Sequence, residues 1–272
     1  MPDEPVSPSA IEPDLATYVD FLTEVAETRG NPLKMAEEME ELSRYYRALG
    51  ICRLAGEADV DGFFHYLIQS ALVRRHYLQA ARADGGGEPN YRRASMLEPV
   101  FDAMAARQWR LAGAIFDLVS HEWSEGEEYE DDYCYADFVR RSLSEPAADL
   151  VTILERWARI LDGASEPRLD VARSLVARDP EAFDTALRAL LASDDGKMRA
   201  MADPVDGSVL ADELPFFPNR WVSVEALALL ALAARQQVEV PGLFPACPPL
   251  VRAGVFGSFS TRGFPHIHYV NE

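Results

Sequence analysis

The spacing of apolar residues along nearly the whole chain constrains its fold more than any other feature. Within 15–26 and again within 33–49, apolar side chains recur at steps of three and four, which places them on one face of a helix. Only 264–270 alternates apolar and polar residues in the manner of a strand. The pattern predicts an all-α protein, an irregular multi-helix bundle of αα-hairpins with solenoid-like packing. No fixed repeat period occurs, so a tetratricopeptide array is not predicted.

Capping residues mark where several of the predicted helices begin. Asn31-Pro32 and Asp179-Pro180 each place an N-cap residue before a proline at the first helical position, and Asp59 is a third candidate cap. Two short helices within 97–119 are joined closely enough to form an αα-hairpin. Later helices are predicted over 130–143, 146–162, 168–177, 180–192 and 223–237, the last apolar nearly all round and therefore central.

Glycine and proline positions indicate how the chain is divided. The segment 84–90, with sequence DGGGEPN, is the clearest loop. We expect an N-terminal tail over 1–12, one all-α domain over 13–252 that contains this loop, and a C-terminal tail over 253–272. A chain of 272 residues can bury a large core.

The charge balance is strongly acidic, with 45 Asp and Glu residues against 26 Lys and Arg and a net charge of −19. This argues against binding to nucleic acid or to an anionic membrane, since both require a concentrated basic face. A basic protein surface is the natural partner, although acidity that serves only solubility is the alternative. The three cysteines lack CxxC spacing, the start lacks signal-peptide features, and 222–234 is too short to span a bilayer. We therefore expect a cytoplasmic protein.

The sharpest local feature is an acidic segment, 121–133, with sequence HEWSEGEEYEDDY. Seven carboxylates fall within the twelve positions from His121 to Asp132, without any Lys or Arg. Three interpretations remain open: a solvated turn that begins a helix, a divalent-metal site, and a docking patch for a basic partner in which aromatic side chains supply contact area. Helical spacing back from Tyr135 predicts that Glu128 and Asp131 are partly buried. The candidate partner-binding residues are Glu122, Trp123, Glu125, Glu127, Glu128, Tyr129, Glu130, Asp131, Asp132 and Tyr133.

Motifs for catalysis are missing from the sequence. It contains no GxSxG, P-loop, GxGxxG or HExxH pattern, and Cys134 has no adjacent histidine that could activate it. His266 and His268 could share a metal if that segment were extended, but no third ligand lies nearby. The sequence thus predicts a binding protein rather than an enzyme, with no metal and no cofactor.

Three stretches resemble bacterial immunity proteins of polymorphic toxin systems, most of all the immunity protein 49 family. They are the aromatic helix 63–71, the hairpin 105–112 with the acidic 128–135 that follows, and the helix 221–233 leading to Pro245 and 248–250. Together they cover about residues 60–252. The helical partners of PoNe-type DNase toxins are similar in the late helix and the prolines after it.

The resemblance implies a stoichiometric inhibitor that binds a cognate toxin, one with a basic surface, and blocks it. It carries over no catalytic residue. The acidic segment would form much of the interface by occluding the toxin's active site or substrate path. A helical scaffold or regulator that binds another protein is the alternative, and a carboxylate-metal hydrolase is a third class.

Overall fold

A computed structural model describes residues 6–29, 31–86, 89–144, 150–200 and 213–252. These residues form an all-α fold, as predicted, and they include no strand beyond an isolated bridge between Phe244 and Cys247. The helices are α1 (Pro8–Arg29), α2 (Ala36–Glu57), α3 (Val60–Ala83), α4 (Glu98–Ala105), α5 (Trp109–Phe116), α6 (Glu130–Ser142), α7 (Val151–Leu161), α8 (Pro167–Ala177), α9 (Pro180–Ala200), α10 (Val224–Arg235) and α11 (Pro249–Arg252).

The predicted caps begin their helices through side-chain hydrogen bonds. Asp59 Oδ1 accepts from the Gly62 amide at 2.8 Å, and Asp179 Oδ1 accepts from the amides of residues 181 and 182. Asn31 also caps, but the segment that it starts, Pro32–Met35, is a 3₁₀ turn before α2. A proline at the first position fits either geometry, so the sequence signal located the boundary without fixing the helix type.

The helices pack consecutively at the start of the chain and non-locally in its middle. α2 lies against both α1 and α3, and α8 lies against α9. α10 packs on α4, more than a hundred residues earlier in the chain, and is buried along most of its length, as its apolar sequence predicts. Trp157, Tyr77 and Phe63 are among the largest side chains that this packing removes from water.

A buried polar network ties α2, α3 and α4 together. Arg47 Nε donates to Asp102 Oδ1 at 2.7 Å, and the Ser70 hydroxyl donates to Asp102 Oδ2 at 2.5 Å. The Ser43 hydroxyl lies 2.8 Å from that of Ser70. Asp102 is fully buried, and these bonds offset part of the cost of removing its carboxylate from water.

The ends of the chain differ in part from the predicted domain limits. α1 begins at Pro8, and Ile11 is buried in the core, so the predicted tail over 1–12 is too long. The apolar stripe of α1 begins at Ile11, so the helix starts earlier in the chain than predicted. The predicted tail 253–272, the strand-like 264–270 and the histidines at 266 and 268 lie outside the described residues. Within the described residues, no helix combines the length and apolar character needed to cross a membrane.

Candidate functional site: the acidic cleft

The acidic segment forms one wall of a cleft of about 710 Å³. The opposite wall is the stretch 93–98, which leads into α4, and α2 contributes Arg44. We call this space the acidic cleft. Its lining residues are Arg44, Arg93, Ser95, Met96, Glu98, Trp123, Gly126, Glu127, Glu128, Tyr129, Glu130 and Asp132.

Hydrogen bonds fix the path of the acidic segment across the surface. Trp123 Nε1 donates to the Glu128 carbonyl at 3.1 Å, and the Ser95 amide donates to Glu128 Oε2 at 3.1 Å. The buried Tyr133 hydroxyl donates to the His121 carbonyl at 2.6 Å. The segment is therefore folded back on itself and fastened to the opposite wall.

Besides Glu128, two further carboxylates of the segment form hydrogen bonds within the protein. Glu130 accepts from both Nε and Nη2 of Arg156 on α7, the shorter bond being 2.6 Å. Asp132 accepts from Arg168 Nη1 on α8 at 2.9 Å. These pairs hold the first turn of α6 against α7 and α8, so Glu130 and Asp132 have an architectural role.

The remaining acidic side chains of the segment differ in exposure. Glu122 and Glu125 are exposed, and Glu127 and Asp131 are partly buried. Tyr129 stands among them with 79% of its surface exposed, the highest value among the large apolar side chains described. An aromatic ring held this far out of the core, between carboxylates, is well placed for contact with another molecule.

Helical spacing back from Tyr135 predicted the burial of two acidic residues, and the structure explains that burial differently for each. Glu128 and Asp131 are partly buried, as predicted. However, α6 begins at Glu130, so Glu128 precedes the helix and its placement is set by the Ser95 amide rather than by helical spacing. Tyr135 itself is 2% exposed, and its hydroxyl donates to Glu225 on α10 at 2.6 Å.

The sequence did not predict the opposite wall of the cleft. Residues 93–98 lie about thirty positions before the acidic segment and follow a glycine-rich loop, and Arg44 belongs to α2. The residues next to Arg44 in the sequence are typical of a helix surface, so nothing in the sequence distinguishes Arg44 as a site residue. The pairing of these segments depends on how α2 packs against the stretch that leads into α4.

The described residues show no arrangement suited to metal or thiol chemistry. They contain no group of three or more His, Cys, Asp or Glu side chains placed to hold a metal ion. Burial raises the pKa of Cys134 to about 11, and the thiol is fully inaccessible. A thiol with a raised pKa is a poor nucleophile at neutral pH, so Cys134 is part of the core.

A groove of about 740 Å³ beside α10 is comparable in size and different in character. Its lining is mostly apolar, and the exposed Leu243 stands at its edge. It contains one acidic residue, Glu239, and lacks the carboxylate density of the acidic cleft.

No family model, curated protein or solved structure matches this chain. The acidic cleft is therefore assigned as the candidate site on its own geometry. The deciding features are the density of carboxylates along one wall and the projecting Tyr129 ring.

Proposed function

We propose that this protein is a cytoplasmic immunity protein that binds a basic toxin one to one through the acidic cleft and thereby blocks it. The observation that carries the proposal is the exposure of Tyr129 at the cleft, in the same segment as the exposed carboxylates of Glu122 and Glu125. Interfaces draw much of their energy from aromatic anchors, and complementary charge directs the approach of the partner.

The division of the carboxylates supports a preformed surface. Because Arg156 and Arg168 engage Glu130 and Asp132, the first turn of α6 is held in place before any partner arrives. Glu122, Glu125 and Glu127 then remain to meet basic side chains. A surface that is already ordered loses less conformational entropy on binding, which favours affinity.

The net charge of −19 supports the same proposal over a longer range. Opposite charge accelerates encounter and disfavours acidic competitors. A nuclease toxin, which needs a basic cleft to hold its substrate, would be attracted to such a surface. The resemblance to toxin-immunity families points to the same class of partner.

Growth rescue tests the proposed function. The toxin domain for the test is the C-terminal domain of any polypeptide encoded directly beside the gene of this chain. Expression of that domain alone should arrest growth, and co-expression of the full chain should restore it. Arrest that persists despite abundant soluble chain would contradict the proposal. An unrelated acidic helical protein of similar size serves as the control for charge alone.

A further inference from the structure

A small cavity of about 20 Å³ lies where α2, α3 and α4 meet, next to the buried network around Asp102. It shares Arg44, Met96 and Glu98 with the lining of the acidic cleft. About 10–15 Å³ of such space holds one water molecule, so the cavity has room for one or two oxygen atoms. A group that enters it would do so as the end of a ligand whose remainder lies in the cleft.

Arg74 lines this cavity and has an unusual set of partners. Its side chain is 5% exposed, and Nη1 donates to the Tyr91 carbonyl at 2.6 Å. Nε and Nη2 are buried and have no hydrogen-bond partner among the described residues. These two nitrogens form the side edge of the guanidinium, the edge that binds a carboxylate through two parallel hydrogen bonds.

Glu40 and Glu98 line the same cavity and favour the charge of Arg74 electrostatically, but neither is hydrogen-bonded to its Nε or Nη2. Arg47 is paired with Asp102, and Arg44 is paired with Glu40. Burial lowers the pKa of Arg74 to about 10, which leaves the guanidinium charged at neutral pH. A buried charge with unused donors is unfavourable, and a single negative group placed against it would relieve that penalty.

We propose that this cavity binds the carboxylate group of a small organic acid through Nε and Nη2 of Arg74. Two carboxylate oxygens match the available volume, whereas a tetrahedral phosphate group carries more oxygens than the cavity holds. A single negative charge is also favoured over a dianion because Glu98 and Glu40 line the same space. The cavity shares Arg44, Met96 and Glu98 with the acidic cleft, but Arg74, which would bind the carboxylate, does not line the cleft, so the proposal does not depend on the proposed function.

Calorimetric titration of the full chain with sodium formate and sodium acetate tests the site. Sodium chloride at the same ionic strength is the comparison. Saturable binding of the carboxylates, with no matching saturation by chloride, is expected. Absence of saturable carboxylate binding, or equal binding of chloride, would overturn the proposal.

Variants locate the binding site. Arg74→Met should weaken formate binding by at least about tenfold, and Arg74→Lys should weaken it nearly as much because a lysine keeps the charge but loses the paired donors. Arg82→Lys, at the exposed end of α3, is the matched control and should bind like the wild type. Equal binding by Arg74→Lys and the wild type would overturn the proposed geometry.

A second variant keeps the test decisive if the Arg74 variants fail to fold. Met96→Trp places a larger side chain where the cavity meets the cleft. Loss of formate binding, with an unchanged circular dichroism spectrum, supports entry from the cleft. Unchanged binding in this variant would place the ligand elsewhere and overturn the assignment.

Discussion

Asp102 has a fully buried carboxyl group whose ionisation depends on its surroundings. Burial raises the pKa of its carboxyl group to about 6, while Arg47 and the hydrogen bond from Ser70 oppose that rise. The raised pKa means that the folded protein takes up a proton near pH 6, whereas the unfolded chain does so near 3.8. The contribution of Asp102 to stability is therefore fully present below about pH 4 and is lost as the pH rises through 6.

Asp102→Asn isolates this contribution, because an asparagine has no such ionisation. The difference in unfolding free energy, wild type minus variant, should fall by about 2.5 kcal/mol between pH 4 and pH 8, which is most of the effect of a pKa rise from 3.8 to about 6. Urea unfolding of both proteins across this range measures it. A difference that stays constant or grows with pH would show that Asp102 is not the group responsible.

The Tyr135 hydroxyl is a second side-chain group whose contribution to stability can be tested. It donates to Glu225, whose pKa is raised by burial and held back by this hydrogen bond. Tyr135→Phe should lower the unfolding free energy by about 1.5–3 kcal/mol and raise the pKa of Glu225 further. Tyr129→Phe removes a hydroxyl from a ring that is 79% exposed, so it should change stability by less than about 0.5 kcal/mol. Equal effects in chemical denaturation would contradict the assigned roles.

At the scale of elements, the first turn of α6 joins three helices through its acids. Asp132 pairs with Arg168 on α8, and the Arg168 guanidinium also lies 5.2 Å from the centre of the Tyr135 ring. The acids of this turn are thus placed by neighbouring helices as well as by the helix dipole. The acidic composition predicted that these residues form a surface. In the structure, Glu130 and Asp132 instead pair with arginines of the protein, while Glu122 and Glu125 are exposed to solvent.

A double-mutant cycle on Asp132→Ala and Arg168→Ala measures how strongly α6 and α8 are coupled. We expect a coupling energy of about 0.5–1 kcal/mol, because the pair is only partly buried. Asp170 and Arg173 on α8 form a more exposed pair at 3.5 Å and serve as the control, with coupling close to zero. Coupling between Asp132 and Arg168 no larger than that of the control pair would mean that the bridge does not fasten α6.

Local sequence signals predicted the helices well because their causes are local. The caps at Asp59 and Asp179 act within three residues, and the central helix 223–237 was found to within two residues of α10 (Val224–Arg235). The 3₁₀ turn after Asn31 was missed, since the same residues suit both helix types. The helix start at Pro8 was missed because its apolar stripe has few members before Leu15.

At the scale of the whole molecule, the sequence could not indicate which distant segments meet. The contact between α4 and α10 and the wall formed by residues 93–98 depend on packing between remote parts of the chain. The residues next to Arg74 and Asp102 in the sequence are typical of helices, yet packing brings both side chains to the same cavity. The acidic wall of the cleft was predicted from composition, while its depth and its opposite wall came only from the fold.

The affinity of the purified chain for its toxin domain tests whether the acidic cleft is the docking surface, when the charges of the carboxylates at and beside the cleft that are unpaired among the described residues are reversed in a cleft variant. Glu122, Glu125 and Glu127 are each changed to Lys, which leaves the pairs of Glu130 and Asp132 intact. Asp20, Glu24 and Glu27, exposed on α1, are changed to Lys in the control, with the same change in net charge. Thermal melts verify that both variants fold.

The cleft variant should bind at least about 100-fold more weakly than the wild type, with much of the loss in association rate, and the control should lose only a few-fold. Raised salt should reduce the difference between the wild type and the cleft variant, because screening weakens exposed charges. Equal affinities for the cleft variant and the control would contradict the claim that the acidic cleft is the docking surface.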